Sequence, residues 1–222
     1  MRRLAAIAPL ALLLGFSGAA AQTPPAAADL LFEHPQWSAA SPGATLTYRY
    51  ARESQLDELM GPDIVDRIRL MLADGTNPSE RTVRIDMFSR DRHRAAGPFE
   101  NTTWNPVIAL FLEHHVEMLA KVLKANPRYF KNAIRAGLRD GATLTPVTIE
   151  SGGKTVSGWQ VETKPFLHDP NNSKMRGLET LAYRFVTVDE VPGAIVSIEA
   201  KAVGSDGATL LSEVLTYDAN AR

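Results

Sequence analysis

The sequence predicts an α+β domain: a curved antiparallel β-sheet, an incomplete barrel, packed around a helical pair and preceded by a cleaved signal peptide. Three observations predict it. Residues with strand-like alternation follow position 43 and fill almost all of the chain after position 142. Two amphipathic helices interrupt them at 105–139. The later strands are joined by short polar turns, which force consecutive strands to run antiparallel, and strands grouped around a helical insertion are the α+β pattern.

The chain opens on Met1-Arg2-Arg3, an apolar run from Leu4 to Phe16 broken only by Pro9, and Ala19-Ala20-Ala21 before Gln22. A positive start, an apolar stretch too short to span a bilayer and a small-residue exit describe an export signal cleaved near Ala21, so residues 1–21 are expected to be removed and the product to be periplasmic. That removal takes away two Arg and no acid, leaving a charge of 22 − 25 = −3. Nucleic-acid binders carry a strong basic excess, so nucleic acid is not an expected partner. No Cys is present, which excludes disulfides, thiolate metal sites and a Cys nucleophile in an exported chain.

Residues 22–42 are rich in Ala and Pro, with Pro24-Pro25 and Pro35, and read as a flexible leader that becomes ordered near Trp37. One domain, 43–222, follows. Over 44–52, Leu46, Tyr48 and Tyr50 alternate with Thr45, Thr47 and Arg49, which is the period of a strand. A short helix is expected at 54–60, ended by Gly61-Pro62, and a second at 63–73, stopped by Asp74-Gly75. Alternation returns at 81–90, where Val83, Ile85 and Met87 oppose Thr82, Arg84 and Asp86, and it extends toward His93.

Asn105-Pro106 opens the longest helix, to about 125: Asn caps, Pro takes the first turn, and Asn126-Pro127 closes it. A second helix runs from 127 or 128 to 139 and stops at Asp140-Gly141. Residues 143–150 and 155–166 flank Ser151-Gly152-Gly153-Lys154, a hairpin-type turn. Strands at 181–188, 194–203 and 208–217 complete a meander, and 167–177 forms a polar, Asn-rich loop between its parts.

The helical insertion at 105–139 and the closing meander at 181–217, with its Val191-Pro192-Gly193-Ala194 turn, give residues 43–218 an element order that resembles the lipoprotein-carrier family of periplasmic proteins. The resemblance implies an incomplete β-barrel wrapping helices around an apolar cavity. It carries over no binding residue, and the loop at 167–177 has no counterpart in it.

Glu113-His114-His115-Val116-Glu117 invites a metal reading. At 100° per residue, however, adjacent histidines diverge, and His-Glu-x-x-His spacing is absent. His115 falls among Val107, Phe111, Leu112, Val116 and Leu119 on the apolar face; His114 falls near the boundary and is expected to be exposed. No metal or other cofactor is expected. Arg128, Lys131, Arg135 and Arg139 form one basic stripe on the second helix, suited to anionic headgroups or an acidic partner, or else a solvated face. Arg84, Arg90, Arg92 and Arg94 form a further strip if their strand continues. No nucleophile elbow, phosphate loop or dinucleotide fingerprint occurs, so no catalytic residue is assigned.

The expected function is therefore a non-enzymatic carrier for a hydrophobic small molecule or lipid. Its expected walls are Tyr48, Tyr50, Val83, Ile85, Phe111, His115, Met118, Trp159, Tyr183 and Phe185, residues of the kind that also fill cores. Peripheral contact with a membrane or an envelope protein is compatible with the basic stripe. Two other classes stay open: an envelope-assembly module with a solid core, and a hydrolase without a recognisable motif that gathers His93, His115 or His168 with an acid or Ser.

Overall fold

The Ala- and Pro-rich stretch joins the core ahead of Trp37. A computed structural model describes residues 24–56 and 60–221; the expected export signal at 1–21 lies outside them. Within them, Ala27–Phe32 forms a short helix, α1, that buries Leu30 and Leu31. The Trp37 indole is buried and donates to the Thr102 carbonyl at 2.8 Å. His34 Nε2 meets Asp189 at 3.2 Å and the Gln36 N–H donates to the Thr103 carbonyl at 2.8 Å, so the leader is tied at several places to the domain behind it.

Nine strands follow the alternation of their side chains: β1 (Thr45–Ser54), β2 (Ile64–Asp74), β3 (Arg81–Met87), β4 (Arg94–Thr102), β5 (Thr143–Ser151), β6 (Lys154–Thr163), β7 (Ala182–Thr187), β8 (Ile195–Val203) and β9 (Thr209–Tyr217). They pair antiparallel in the order β4-β3-β2-β1-β9-β8-β7-β6-β5, an open sheet with β4 and β5 as its edges. First and last strands meet in the middle, where Tyr48 lies opposite Tyr217. Each edge contains a proline, Pro98 in β4 and Pro146 in β5, where the missing N–H leaves no gap in a ladder and discourages pairing with another chain.

The stretch at 63–73, expected to be helical, is β2. Ile64, Ile68 and Leu72 recur at helical spacing, but Ile68, Leu70 and Leu72 are buried while Arg67 and Arg69 are exposed, which is period two. Available partners on both sides, β1 and β3, override a weak helical preference. The short helix expected at 54–60 overlaps residues 57–59, outside the described set, and β1 continues to Ser54. The strand from Arg81 ends at Met87 instead of running on to His93. Phe88 and Arg90 take φ of 63° and 53°, a turn at Arg90–Arg92 reverses the chain, and β4 returns along β3.

The helical pair is α2 (Val107–Leu123) and α3 (Pro127–Asp140). Asn105 accepts from the Val107 N–H and Asn126 from that of Arg128, satisfying donors left open at each helix start. Phe111, Val116 and Leu119 of α2 and Phe130, Ile134 and Leu138 of α3 enter one core with the inward residues of the sheet. Each such large side chain is worth about 1.5–3 kcal/mol of burial. No helix among the described residues is long and apolar enough to cross a membrane.

Gly137 sets how closely α3 approaches β6: a Cβ there would lie 2.7 Å from Thr163 Oγ1 and 3.0 Å from Pro165 Cβ. Gly137→Ala is expected to cost about 1 kcal/mol net, an overpacking penalty of ~1–3 kcal/mol offset by ~1 kcal/mol of helix propensity. Urea unfolding measures it, and a variant more stable than wild type would rule out the close contact.

Candidate functional site

Two places in this fold combine shape with unusual chemistry. One is a groove of about 490 Å3 on the outer side of the helical pair. Phe32 and Ala28 of α1 form one wall, held by an edge-to-face contact of Phe32 with Trp104 at 6.1 Å. Ala109, Leu112 and Val116 of α2 and Ile134 and Leu138 of α3 supply the rest of the apolar lining. Helical spacing explains this: residues three or four apart share a face, so each helix turns an apolar strip toward its neighbour.

The mouth of the groove is basic. Lys131, Arg135 and Arg139 border it together with Glu113. Lys131 Nζ lies 2.6 Å from Glu113 Oε2, and Arg139 pairs with the adjacent Asp140 at 2.9 Å. Arg135 is exposed and has no ion pair among the described residues, so it is the cation left for a ligand. Arg128, the fourth residue of the stripe, lies on α3 beyond the lining.

The second place is inside the core. Glu213 takes an inward position between Leu211 and Leu215 of β9 and is fully buried. Its Oε2 lies 2.6 Å from His115 Nδ1, and its Oε1 accepts from the Tyr50 hydroxyl at 2.9 Å. Burial pushes the Glu213 carboxyl up, but the His115 charge and hydrogen bond, with further help from His114 and Tyr50, outweigh it and hold the group below its ordinary value. An ionised carboxylate only accepts, so His115 Nδ1 is the donor. Arg52, also buried, stands opposite Glu213 in the β1–β9 ladder and donates to the carbonyls of Met60 and Pro62 at 2.8 and 3.0 Å.

Around this centre lie polar atoms without partners. His115 Nε2 and the Tyr183 hydroxyl are buried and unpaired among the described residues, with the two rings 5.3 Å apart edge to face. Burial raises the Tyr183 hydroxyl well above its usual range, so it stays protonated. His114 is not exposed as expected. Its ring packs against Phe88 at 5.0 Å and Tyr50 at 6.0 Å, both nitrogens are buried, and burial lowers its pKa.

An acid–base pair at 2.6 Å has the parts of a catalytic dyad, but both side chains are 0% exposed and no hydroxyl lies within hydrogen-bond distance of His115 Nε2 among the described residues. Its chemistry here is to anchor α2 to β9. His93 meets Asp86 on the surface at 3.4 Å, and His168 is exposed in the loop after β6.

The ten expected wall residues are mostly core. Tyr48, Tyr50, Val83, Ile85, Phe111, His115, Tyr183 and Phe185 are at most 1% exposed. Met118 is half-buried and touches Arg52 through sulfur. Trp159 borders a wider, open trough of about 1400 Å3, whose lining includes Asp29, Glu33, Asp189 and Glu190. Those carboxylates repel an anionic head, which favours the smaller groove for such a ligand. The strip of Arg84, Arg90, Arg92 and Arg94 does not form, because the chain turns at Arg90–Arg92. Arg84 stays on the outer face, Arg92 binds Asp66 at 2.9 Å, and Arg94 meets Glu117 at 3.3 Å.

None of the ten expected walls lines the groove, so sequence reasoning missed its apolar lining, Phe32 included, as well as Glu213 in the core. Glu213 carried a readable signal, an acid in phase with Leu211 and Leu215. Phe32 carried none, because nothing local shows that α1 reaches the helical pair. No protein-family model matches the chain, and no curated protein matches it.

Proposed function

We propose that this chain is an exported carrier, acting in the bacterial periplasm, that holds an amphiphile with an apolar tail and an anionic head in the groove between α1, α2 and α3. The observation that carries the reading is an apolar groove of about 490 Å3 with Arg135 uncommitted at its mouth, a volume within the roughly 300–1,000 Å3 of small-molecule sites. The tail is driven in by burial against Phe32, Ala109 and Leu112, the partly exposed apolar residues of the lining, over a floor of Val116 and Ile134, and the head is oriented by a guanidinium whose planar fork matches a carboxylate or phosphate. The lipoprotein-carrier resemblance, with the open sheet as an incomplete barrel around the helices, belongs to the same reading and is supported by the nine-stranded order and the inserted helical pair.

Titration with a fluorescent hexadecanoate probe tests the proposal. Wild type is expected to bind one equivalent. Arg135→Glu is expected to weaken binding about tenfold or more, since a charge-assisted hydrogen bond is worth ~1.5–3 kcal/mol. Ala109→Trp, which fills the groove, is expected to abolish binding, and Arg128→Glu to leave it intact. Wild-type affinity in Ala109→Trp would overturn the assignment.

A further inference from the structure

We propose a second site on the opposite, outer face of the sheet: an oxyanion site for a phosphate-type group, centred on Arg49 and Arg67. These two residues lie directly opposite each other on β1 and β2. Both are exposed, and neither has an ion pair among the described residues. Like charges facing across an antiparallel pair repel, so a bound anion would stabilise this pairing. Arg69, the next outward residue of β2, adds a third guanidinium, held only by Asp86 at 3.6 Å.

The three arginines border one concavity of about 590 Å3 together with Ser89 and Asp218. Asp66 also borders it, but its carboxylate is already occupied. It accepts from the backbone N–H of Arg67 at 2.9 Å and of Ser89 at 3.2 Å, and from Arg92 at 2.9 Å. That leaves Asp218, which accepts from the Asn220 N–H at 3.1 Å, as the one carboxylate facing three cations there among the described residues. Two guanidinium forks rooted directly opposite each other on adjacent strands, whose backbones run about 5 Å apart, can each offer paired N–H groups to one tetrahedral oxyanion. Inorganic phosphate and the phosphate of a lipid headgroup share this chemistry. The site is independent of the groove on the helical side.

Isothermal titration with inorganic phosphate, and sedimentation with vesicles of phosphatidylglycerol or of phosphatidylcholine alone, test it together. Saturable 1:1 phosphate binding is expected, weakened at least about tenfold in Arg49→Gln/Arg67→Gln and unchanged in Arg84→Gln, which shares the face but not the concavity. Binding only to phosphatidylglycerol vesicles, lost in the same double variant, also supports the site and identifies a lipid phosphate as its source. Absence of both, or binding that the double variant retains, overturns it. A second readout needs no ligand: Arg67→Gln is expected to raise the melting temperature in phosphate-free buffer by relieving the Arg49–Arg67 repulsion. A lower melting temperature would show that Arg67 is a structural residue and would overturn the proposal.

Discussion

Glu213→Ala is expected to cost the fold about 3–5 kcal/mol, the scale on which removing one partner of a buried ion pair destabilises proteins. Two buried groups lose their acceptor at once: His115 Nδ1 and the Tyr50 hydroxyl. Against a total stability of about 5–15 kcal/mol, that loss leaves little margin. Urea unfolding at neutral pH measures it. The double replacement His115→Phe/Glu213→Leu should recover part of the loss, because removing both partners leaves fewer orphaned groups than removing one. A cost below about 1 kcal/mol for Glu213→Ala would show that the pair does not anchor α2.

The same cluster sets a pH dependence. His114 is held below its ordinary 6.5 by burial, so as pH falls through that value the unfolded chain takes up a proton that the folded chain resists, and stability drops. The groups facing its ring region are Tyr50, Phe88, Glu213, His115, Arg52 and Arg94. Glu213, held below 4.5, contributes stability that is present above that value and is lost as pH falls through its folded value. Stability is therefore expected to begin falling near pH 6.5 and to fall more steeply below 4.5. His114→Gln should remove the first decline and leave the second, which a pH series of melting curves would show.

The second large effect is expected at Asn105, whose side chain makes three connections while fully buried. Its Nδ2 donates to the Tyr48 hydroxyl at 3.0 Å and the Gly193 carbonyl at 2.9 Å, and its Oδ1 accepts from the Val107 N–H at 3.1 Å. It thus joins the start of α2 to β1 and to the turn before β8. Its backbone N–H donates to Gln36 Oε1 at 2.7 Å, which ties in the leader. Asn105→Ala is expected to cost at least about 3 kcal/mol, from roughly 1 kcal/mol of lost cap and ~1–3 kcal/mol for each of the two buried groups left unpaired, the Tyr48 hydroxyl and the Gly193 carbonyl. Asn105→Asp retains the cap but cannot donate to Tyr48 or Gly193, so it separates the two contributions. If Asn105→Ala behaved like a cap loss alone, the hub would be no more than a helix start.

Local patterns carried much of this architecture. Alternation in 143–217 and the Asn-Pro pairs at 105–106 and 126–127 determined five strands and both long helices to within a few residues, because turn and cap chemistry acts over neighbouring positions. Alternation at 44–52 and 181–188 and the helical period of 107–119 also determined that Tyr48, Phe185, Phe111 and His115 point inward. Tertiary structure alone decided three things. Residues 64–74 became β2 because β1 and β3 offered ladders on both sides, a choice that an ambiguous run such as Ile64-Val65-Asp66-Arg67-Ile68 cannot make locally. His115 met Glu213, 98 positions away, because β9 closed against β1 in mid-sheet. Finally, α1 reached the helical pair and turned the basic stripe of α3 from a helix face into one side of a groove. Periodicity tells which way a side chain faces; what it faces depends on contacts between distant segments, and these are settled only when the whole chain packs.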